Sequence, residues 1–377
     1  MCAFDANSLI SAQDPRAPEV VSEPVGAWFE IWRDGVREAV LDDVTEFVST
    51  QCARQLTRTG VDVAGEVLLH FIGGGKCLRP TFMYLGWLCG ADPDRAALRA
   101  CAGLELLHAF ALLQDDVMDD SAMRRGRPAA HIQFERWHRS RGLSGCERRF
   151  GASAAILLSD LCLVWAEQMM RESGVDGHAL ARAWPRYDTM RAELAVGQFA
   201  DVVNDAGALP TLDAVLDVAR SKSGNYTVRR PLEIGAAMAG REDLLSVLGN
   251  YGNAVGEAFQ LRDDILGVFG SANVTGKPAG GDLAERKATS VVVAAYQLAD
   301  STTRRQLAEL MCAEDLDDDD LERWRTLIVA TGAVQWVEDM IAERCAAAQD
   351  HLYGSRIRKS VQDALANMVA VCTMRAT

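Results

Sequence analysis

"VGAWFEIWRDGVREAVLDDVTEFV", residues 25–48, carries Phe29, Trp32, Val36, Val40, Val44 and Phe47 at intervals of three and four residues. That interval lays one apolar stripe along a helix. The same period runs through 61–72, 81–114, 151–172, 178–204, 212–222, 230–267, 288–312, 320–349 and 359–373, and alternating stretches bounded by hairpin turns are nearly absent. The chain is therefore expected to be all-α. Breaks fall at "GGGKCLRP", "RSRGLSGCERRFG", "NDAGALP", "FGSANVTGKPAGG" and the acidic run "EDLDDDD", which reads as a solvated loop and helix start. No internal repeat and no long linker divides the chain. The middle helices are apolar on more than one face, as in the centre of a large bundle. A disordered tail over 1–24, followed by one all-helical domain of ten or more helices over 25–377, is the expected organisation.

The 377 residues are 49% hydrophobic, enough for a sizeable core, and the formal net charge of −14 argues against a nucleic-acid partner, which needs a basic footprint. Ten cysteines form no CxxC pair and no Cys/His cluster at zinc spacing, so a reduced, cytoplasmic setting is expected. The N-terminus has no apolar signal core, and no uncharged apolar run approaches the ~18 residues that span a bilayer, so no transmembrane segment is expected.

Against this helical background, "LLQDDVMDDSAMRRGRPAAH" (112–131) crowds like charges together. Asp115 and Asp119 stand four apart, on one helix face, with Asp116 beside them, where repulsion is destabilising unless something positive lies between. Hard oxygen ligands at that spacing suit Mg²⁺, which takes one or two carboxylates plus water and substrate phosphates. Alone, the cluster is equally a solvated helix end. A second acid pair, Asp263 and Asp264 in "QLRDDILGVFG" (260–270), again closes an apolar helical run, and facing helices are where bundles build metal sites.

Cations supply the complement. Only five of the 39 basic residues are lysines, and four of them fall in turn motifs: Lys76 in "GGGKCLRP" (73–80, with Arg79), Lys222 in "ARSKSGNYTVRRP" (219–231), and Lys277 and Lys287 in "TGKPAGGDLAERKAT" (275–289). Arg124 and Arg125 follow the first acids. These are diphosphate-binding groups in kind, Arg as a planar fork and Lys as a point charge. Neither Gly-Lys stretch is a P-loop, since His70 stands where the first glycine is needed and Lys277 precedes Pro278.

In order, GGGKxxRP, ELLHAFALLQDDVMD, RRGRP, GQFAD, KSGNYT, FQLRDD and GKPAGGDLAERKAT resemble the trans-isoprenyl diphosphate synthases (polyprenyl synthetases) of the farnesyl/geranylgeranyl diphosphate synthase kind, over roughly residues 60 to 300. The resemblance implies a single helical bundle around a central cavity, a homodimer, and condensation of isopentenyl diphosphate with dimethylallyl, geranyl or farnesyl diphosphate. It implies that Asp115, Asp119 and Asp263 hold three Mg²⁺ on the allylic diphosphate, with Asp116 and Asp264 as secondary members of the metal set. Arg124, Lys222, Gln260 and Lys277 would grip that diphosphate, with Lys287 in a secondary place. Isopentenyl diphosphate would lie among Lys76, Arg79, His108 and Arg125. Gln198 and Asp201 would stand behind, Asp201 orienting metal waters or Arg124. His108 lies seven residues, about two turns, before Asp115 and so on its face.

Three positions depart from the family pattern: Cys77 where Arg is frequent, Gly267 where the second acid motif usually ends in Asp, and Arg286 in place of a common Gly. Two other classes remain in view. A class I terpene cyclase would carry an NDxxSxxxE motif, but "NDAGALPTL" has Ala208 and Leu212 at the Ser and Glu places, and a non-catalytic subunit of a heteromeric synthase would have lost its acid motifs. Chain length is read from the helix entering Asp115. Ala111, one turn earlier, is too small to form a floor, whereas the neighbouring Phe110 closes the path, and by resemblance a lone aromatic there suits a C20 product. Geranylgeranyl diphosphate is the expected product.

Overall fold

The computed structural model describes residues 26–57, 60–205, 209–270, 280–313 and 315–374, so the tail over 1–24 and Lys277 lie outside the described residues. The all-α expectation is met. Apart from helices and turns, the described residues form only a two-residue antiparallel ribbon, Met123–Arg124 against Arg127–Pro128. In chain order the α-helices are α1 Ala27–Gln51, α2 Asp62–Ile72, α3 Leu78–Leu88, α4 Arg95–Met118, α5 Ala130–Ser140, α6 Glu147–Arg171, α7 Gly177–Asp205, α8 Leu212–Ala219, α9 Arg230–Met238, α10 Leu245–Phe269, α11 Gly281–Ala284, α12 Ser290–Leu298, α13 Ser301–Met311, α14 Asp318–Ala330, α15 Ala333–Leu352 and α16 Lys359–Thr373. A π-helix, Arg220–Arg229, joins α8 to α9. The chain forms two compact units, one of residues up to Ala183 with Ile234–Glu242, the other of Trp184–Glu233 with Asp243 onward.

In the first unit the opening stripe is the buried face of α1: Phe29, Trp32, Val36, Val40 and Val44 are all at most 2% exposed. α4 is apolar around its circumference because it is surrounded, and Leu98, Cys101, Leu104 and Leu107 are buried. Gly103 lets α6 approach, since a β-carbon there would lie 2.9 Å from the Ala166 carbonyl oxygen. In the second unit Tyr251 of α10 donates its hydroxyl to the Leu365 carbonyl of α16 (2.7 Å), and Trp324 and Ile328 of α14 complete a core with Ile265, Val268, Leu283 and Val291.

Several stretches read as single helices are two. The run 81–114 breaks at "GADPD", where Asp94 caps α4 by accepting from Ala97 N (2.7 Å). The run 288–312 breaks where Asp300 accepts from Thr302 N and Thr303 N (2.9 and 2.8 Å) to start α13. Gly240 and Gly332, at φ +73° and +79°, interrupt 230–267 and 320–349. The apolar period runs on across such breaks; the cap and the left-handed glycine are what stop the helices. The acidic run does begin a helix: Asp317 caps α14 and Asp318–Asp320 form its first turn, where acids are favoured.

α4 and α6 are long and apolar enough by composition to cross a membrane, which the strict test of an uncharged run overlooked; 67% of the α4 window is buried inside the protein and 39% of the α6 window.

Asp43 of α1 is 2% exposed and is held by both terminal nitrogens of Arg95 at the start of α4 (2.5 and 2.6 Å). Burial raises its pKa despite that pairing. Arg95→Met is expected to cost about 2 kcal/mol, because it strands a buried acceptor. Chemical denaturation midpoints will show it, and adding Asp43→Asn should recover most of the loss.

Candidate active site

α4 delivers Asp115 and Asp116 on its last turn and ends at Asp119, whose N–H donates to the Asp115 carbonyl (2.9 Å). The ribbon then turns the chain back, with Asp120 and Arg125 at positive φ (+50° and +52°), strained for non-glycine residues. Arg124 returns against the acids it follows. Its Nε donates to Asp116 Oδ1 at 2.8 Å, its Nη2 bonds the same oxygen, and Asp115 Oδ2 lies 3.6 Å away. Burial disfavours the guanidinium's charge, but Asp116, Asp115 and Asp119 more than offset that and raise its pKa. Asp115, partly exposed, remains on the outer side of this pair. Asp116 is fully buried and anchors Arg124, so it is positioned to orient that cation.

The second cationic group gathers around Glu105, which sequence reasoning passed over. It is a lone acid inside the apolar run "LELLHAF", 6% exposed, and burial raises its pKa against the pull of Arg79, Arg125 and Arg37. A lone acid in such a run is itself the signal that could have found it, since an unpaired buried charge is not tolerated. Arg37 left no signal, because it belongs to α1, outside every motif; its Nε donates to the Gly75 carbonyl (2.8 Å) and so holds the glycine turn. Gly75 packs against the acid: a β-carbon there would lie 2.7 Å from Glu105 Oε2 and displace it. Arg125 donates to the Phe71 carbonyl (3.2 Å), Arg79 lies one residue after the first residue of α3, and Lys76 is exposed in the turn before it. Cys77 is buried at φ +49° and stands at the N-cap of α3. Enclosure and the guanidiniums of Arg79, Arg125 and Arg124 lower the pKa of His108 far enough to keep its ring neutral. The expected set Lys76, Arg79, His108 and Arg125 thus belongs to one unit, with Glu105 and Arg37 added.

In the second unit the π-helix carries Lys222, a geometry frequent at functional sites. Lys222 Nζ lies 2.5 Å from Asp201 Oδ2 on α7, so Asp201 holds this lysine rather than Arg124. Gly197 of GQFAD is what lets α7 press on the π-helix: a β-carbon there would lie 2.8 Å from Lys222 N. Gln198, next in that motif, is half-buried. On the other side Gly224 and Gly256 bring the π-helix and α10 backbone to backbone, the built β-carbon of Gly256 lying 2.6 Å from Gly224 Cα. Arg220 and Arg344 converge on Glu257 (2.8 and 2.7 Å), fastening π-helix, α10 and α15. Lys222 and Asp263 therefore stand on elements whose spacing two glycines set.

Asp264 is also otherwise engaged. It is buried, with Oδ2 accepting from Ser290 N and Oγ (2.8 and 2.6 Å) and Oδ1 from Gln260 Nε2 (2.7 Å), so it ties α10 to α12. Gln260 accordingly spends a donor within its own helix. Lys287 pairs with Glu285 (3.1 Å), and Arg286 takes φ +55°, which explains why glycine suits that position. Among the described residues no three His, Cys, Asp or Glu side chains stand close enough to hold an ion by themselves. That fits a metal bound mostly through water and substrate oxygens.

Residues 61–328 match the polyprenyl synthetase family model. The chain belongs to the polyprenyl synthetase family. It is 33% identical to a geranylgeranyl diphosphate synthase of Mycobacterium tuberculosis, across 72% of this chain and 71% of that protein, and 32% identical to a geranylfarnesyl diphosphate synthase of Aeropyrum pernix, across 72% and 80%. A crystal structure of the Corynebacterium glutamicum geranylgeranyl pyrophosphate synthase, complexed with isoprenyl diphosphate and magnesium, superposes with a TM-score of 0.87 at 34% identity, covering 91% of this chain and 99% of that one. As a polyprenyl synthetase with the all-α isoprenoid synthase fold, the chain is a trans-prenyltransferase. Neither a terpene cyclase nor a non-catalytic subunit gains support from these relatives.

Proposed function

We propose that this polyprenyl synthetase condenses isopentenyl diphosphate with farnesyl diphosphate to give geranylgeranyl diphosphate. What supports the reading is the gathering of cations in two places of the first unit: Arg124 against the acids of α4, and Arg79, Arg125 and Arg37 about Glu105, with Lys76 exposed in the adjoining glycine turn. Two diphosphates require two such groups, whereas a cyclase needs one.

Asp115, Asp119 and Asp263 present hard oxygens with few carboxylates per cluster, the donor set that suits Mg²⁺, and the C. glutamicum relative binds magnesium. When bound, Mg²⁺ supplies Lewis-acid neutralisation of the leaving diphosphate. Arg124, steadied by Asp116, and Lys222, steadied by Asp201, would add fixed positive charge at the same group, so that reorganisation costs little as the allylic C–O bond breaks. Lys277 and Gln260 would take the same diphosphate, and Gln198 would support them. The apolar faces of the helices exclude water from the carbocation. The isopentenyl double bond then forms the new C–C bond, and the released diphosphate takes the proton that re-forms the alkene, so no protein base is needed. His108, kept neutral, would serve as a hydrogen-bond donor to the second diphosphate and not as that base.

For chain length, Phe110 is half-buried on α4 and the smaller Ala111 lies one turn before Asp115. The named products of the M. tuberculosis and A. pernix relatives, C20 and C25, fit an open path past Ala111. A homodimer is supported by apolar side chains left exposed on two helices: Leu157 (65%) and Val164 (58%) on α6, and Val196 (69%) and Phe199 (75%) on α7. None of the nine described cysteines is joined in a disulfide, which suits a cytoplasmic setting.

Incubation with isopentenyl and farnesyl diphosphates and Mg²⁺ should yield geranylgeranyl diphosphate by chromatography, and none in EDTA; Phe110→Ala should lengthen the product and Ala111→Phe shorten it toward C15. An unchanged distribution in both variants would remove Phe110 from the floor. Lys76→Ala should raise KM for isopentenyl diphosphate about tenfold and leave the allylic KM nearly unchanged, with Lys222→Ala doing the reverse; equal effects on both substrates would refute separate sites. Sedimentation equilibrium should give a mass of two chains, and one chain after Phe199→Asp.

A further inference from the structure

Residues 121–150, from the ribbon through α5 to the start of α6, hold eight arginines against two acids, Glu135 and Glu147, a local charge of +6 in a chain whose total is −14. Arg124 and Arg125 belong to the site; the other six, Arg127, Arg136, Arg139, Arg141, Arg148 and Arg149, are exposed. Both acids are spent on one of them, since Arg139 donates to Glu135 at 2.7 Å and to Glu147 at 3.4 Å. Arg148 pairs with Asp120 at 2.7 Å, which fastens this corner to the residue after Asp119. Arg136, Arg141 and Arg149 make no ion pair among the described residues, and Arg141 lies over the ring of Trp137, 5.6 Å from its centre.

Exposed arginines are ordinary by themselves. The turn joining α5 to α6 adds an apolar side chain among them. Leu143 is 44% exposed between Gly142 and Gly145, both at positive φ (+62° and +99°). This tip is held in place. Leu143 N donates to the His138 carbonyl (3.3 Å), and the buried His138 donates Nε2 to the Ser144 carbonyl (3.2 Å). The His138 ring packs on Phe150 with centroids 4.9 Å apart, and Phe150 stacks on Trp137 at 5.8 Å. An ordered turn thus holds a leucine out into solvent with unpaired arginines on the helices either side of it.

We propose that this corner docks the protein on the surface of an anionic phospholipid bilayer. Arg136, Arg141 and Arg149 meet the headgroups, and Leu143 enters the boundary between headgroups and acyl chains. Interfacial binding combines buried apolar area with attraction to anionic lipid, and the corner offers both. A chain of net charge −14 approaches a negative surface only through a face that concentrates the opposite sign, because charges more than a Debye length of about 8 Å away are screened. Nucleic acid would use the arginines but not an outward leucine, and steering of diphosphate substrates leaves Leu143 equally unexplained. Leu157 and Val164, the exposed pair on α6 assigned above to the dimer, begin more than two turns further along that helix. The binding does not depend on the proposed product, although a diphosphate with a twenty-carbon tail gains from release beside a bilayer.

Cosedimentation of the full chain with vesicles, without metal or substrates, reads the interaction directly. Vesicles rich in phosphatidylserine should carry the chain down, and pure phosphatidylcholine vesicles should not. Replacing the three unpaired arginines together (Arg136→Gln, Arg141→Gln, Arg149→Gln) should lower the partition coefficient at least about tenfold, since each arginine at such a surface contributes roughly fivefold. Leu143→Ser should lower it about threefold and Leu143→Trp should raise it. Each variant should keep the parent's unfolding temperature and its turnover in vesicle-free solution. Equal binding to both kinds of vesicle, or unchanged binding by the triple variant, overturns the proposal. So does tighter binding to short duplex DNA with Leu143→Ser without effect, which makes the face a nucleic-acid surface. A raised KM for both diphosphates in the triple variant, with vesicle binding unmoved, assigns the arginines to substrate steering instead. A parent that binds the anionic vesicles but makes another product leaves the docking face standing and removes only the geranylgeranyl diphosphate reading.

Discussion

Asp116 is a carboxylate with no exposure at the end of α4, and it is tolerable there only because Arg124 reaches it. Isolated, either group would have to leave the interior or lose its charge. Together they compel the chain to double back straight after α4, through a ribbon that holds Asp120 and Arg125 at positive φ. That turn is what arranges the chemistry. It leaves Asp115 and Asp119 on the outer face with a fixed guanidinium beside them, and it sends the next residue, Arg125, toward Glu105 instead. One buried ion pair thus sends two neighbouring arginines, Arg124 and Arg125, to two different acids.

The second unit places its charged groups by a different means. Its working parts are a lysine on a π-helix and an aspartate on α10, and their spacing is set by missing side chains. Gly197 admits the π-helix to α7, and Gly224 and Gly256 admit it to α10. Backbone-to-backbone contacts of this kind do not adjust as long side chains do, which suits groups that must meet developing charge with little reorganisation. The ion pairs around Glu257 and Arg262 then clamp these elements to α15.

Much of the local structure was legible in the residues. The apolar interval that opens the chain is the buried face of α1, and the acids that crowd 115–120 are a helix end, as their period implied. Helix ends were harder to see. The continuous periods over 81–114 and 288–312 each conceal a capping aspartate, Asp94 and Asp300, because both halves turn their apolar faces to one core and the period does not register the break.

What the sequence by itself determined was the helical class, the places where diphosphate chemistry gathers, and the residue types that perform it, since periodicity and clustered charge are properties of neighbours along the chain. Only the tertiary structure decided how neighbouring acids divide their work. Asp115 and Asp116, and likewise Asp263 and Asp264, are equivalent on paper; in each pair one is buried and spent on a partner beyond its own helix, Arg124 or Ser290, while the other stays partly exposed. Arg37 and Glu105 entered in the same way, by packing across elements. Burial and the identity of a distant partner are set by how helices pack, and no local pattern encodes them.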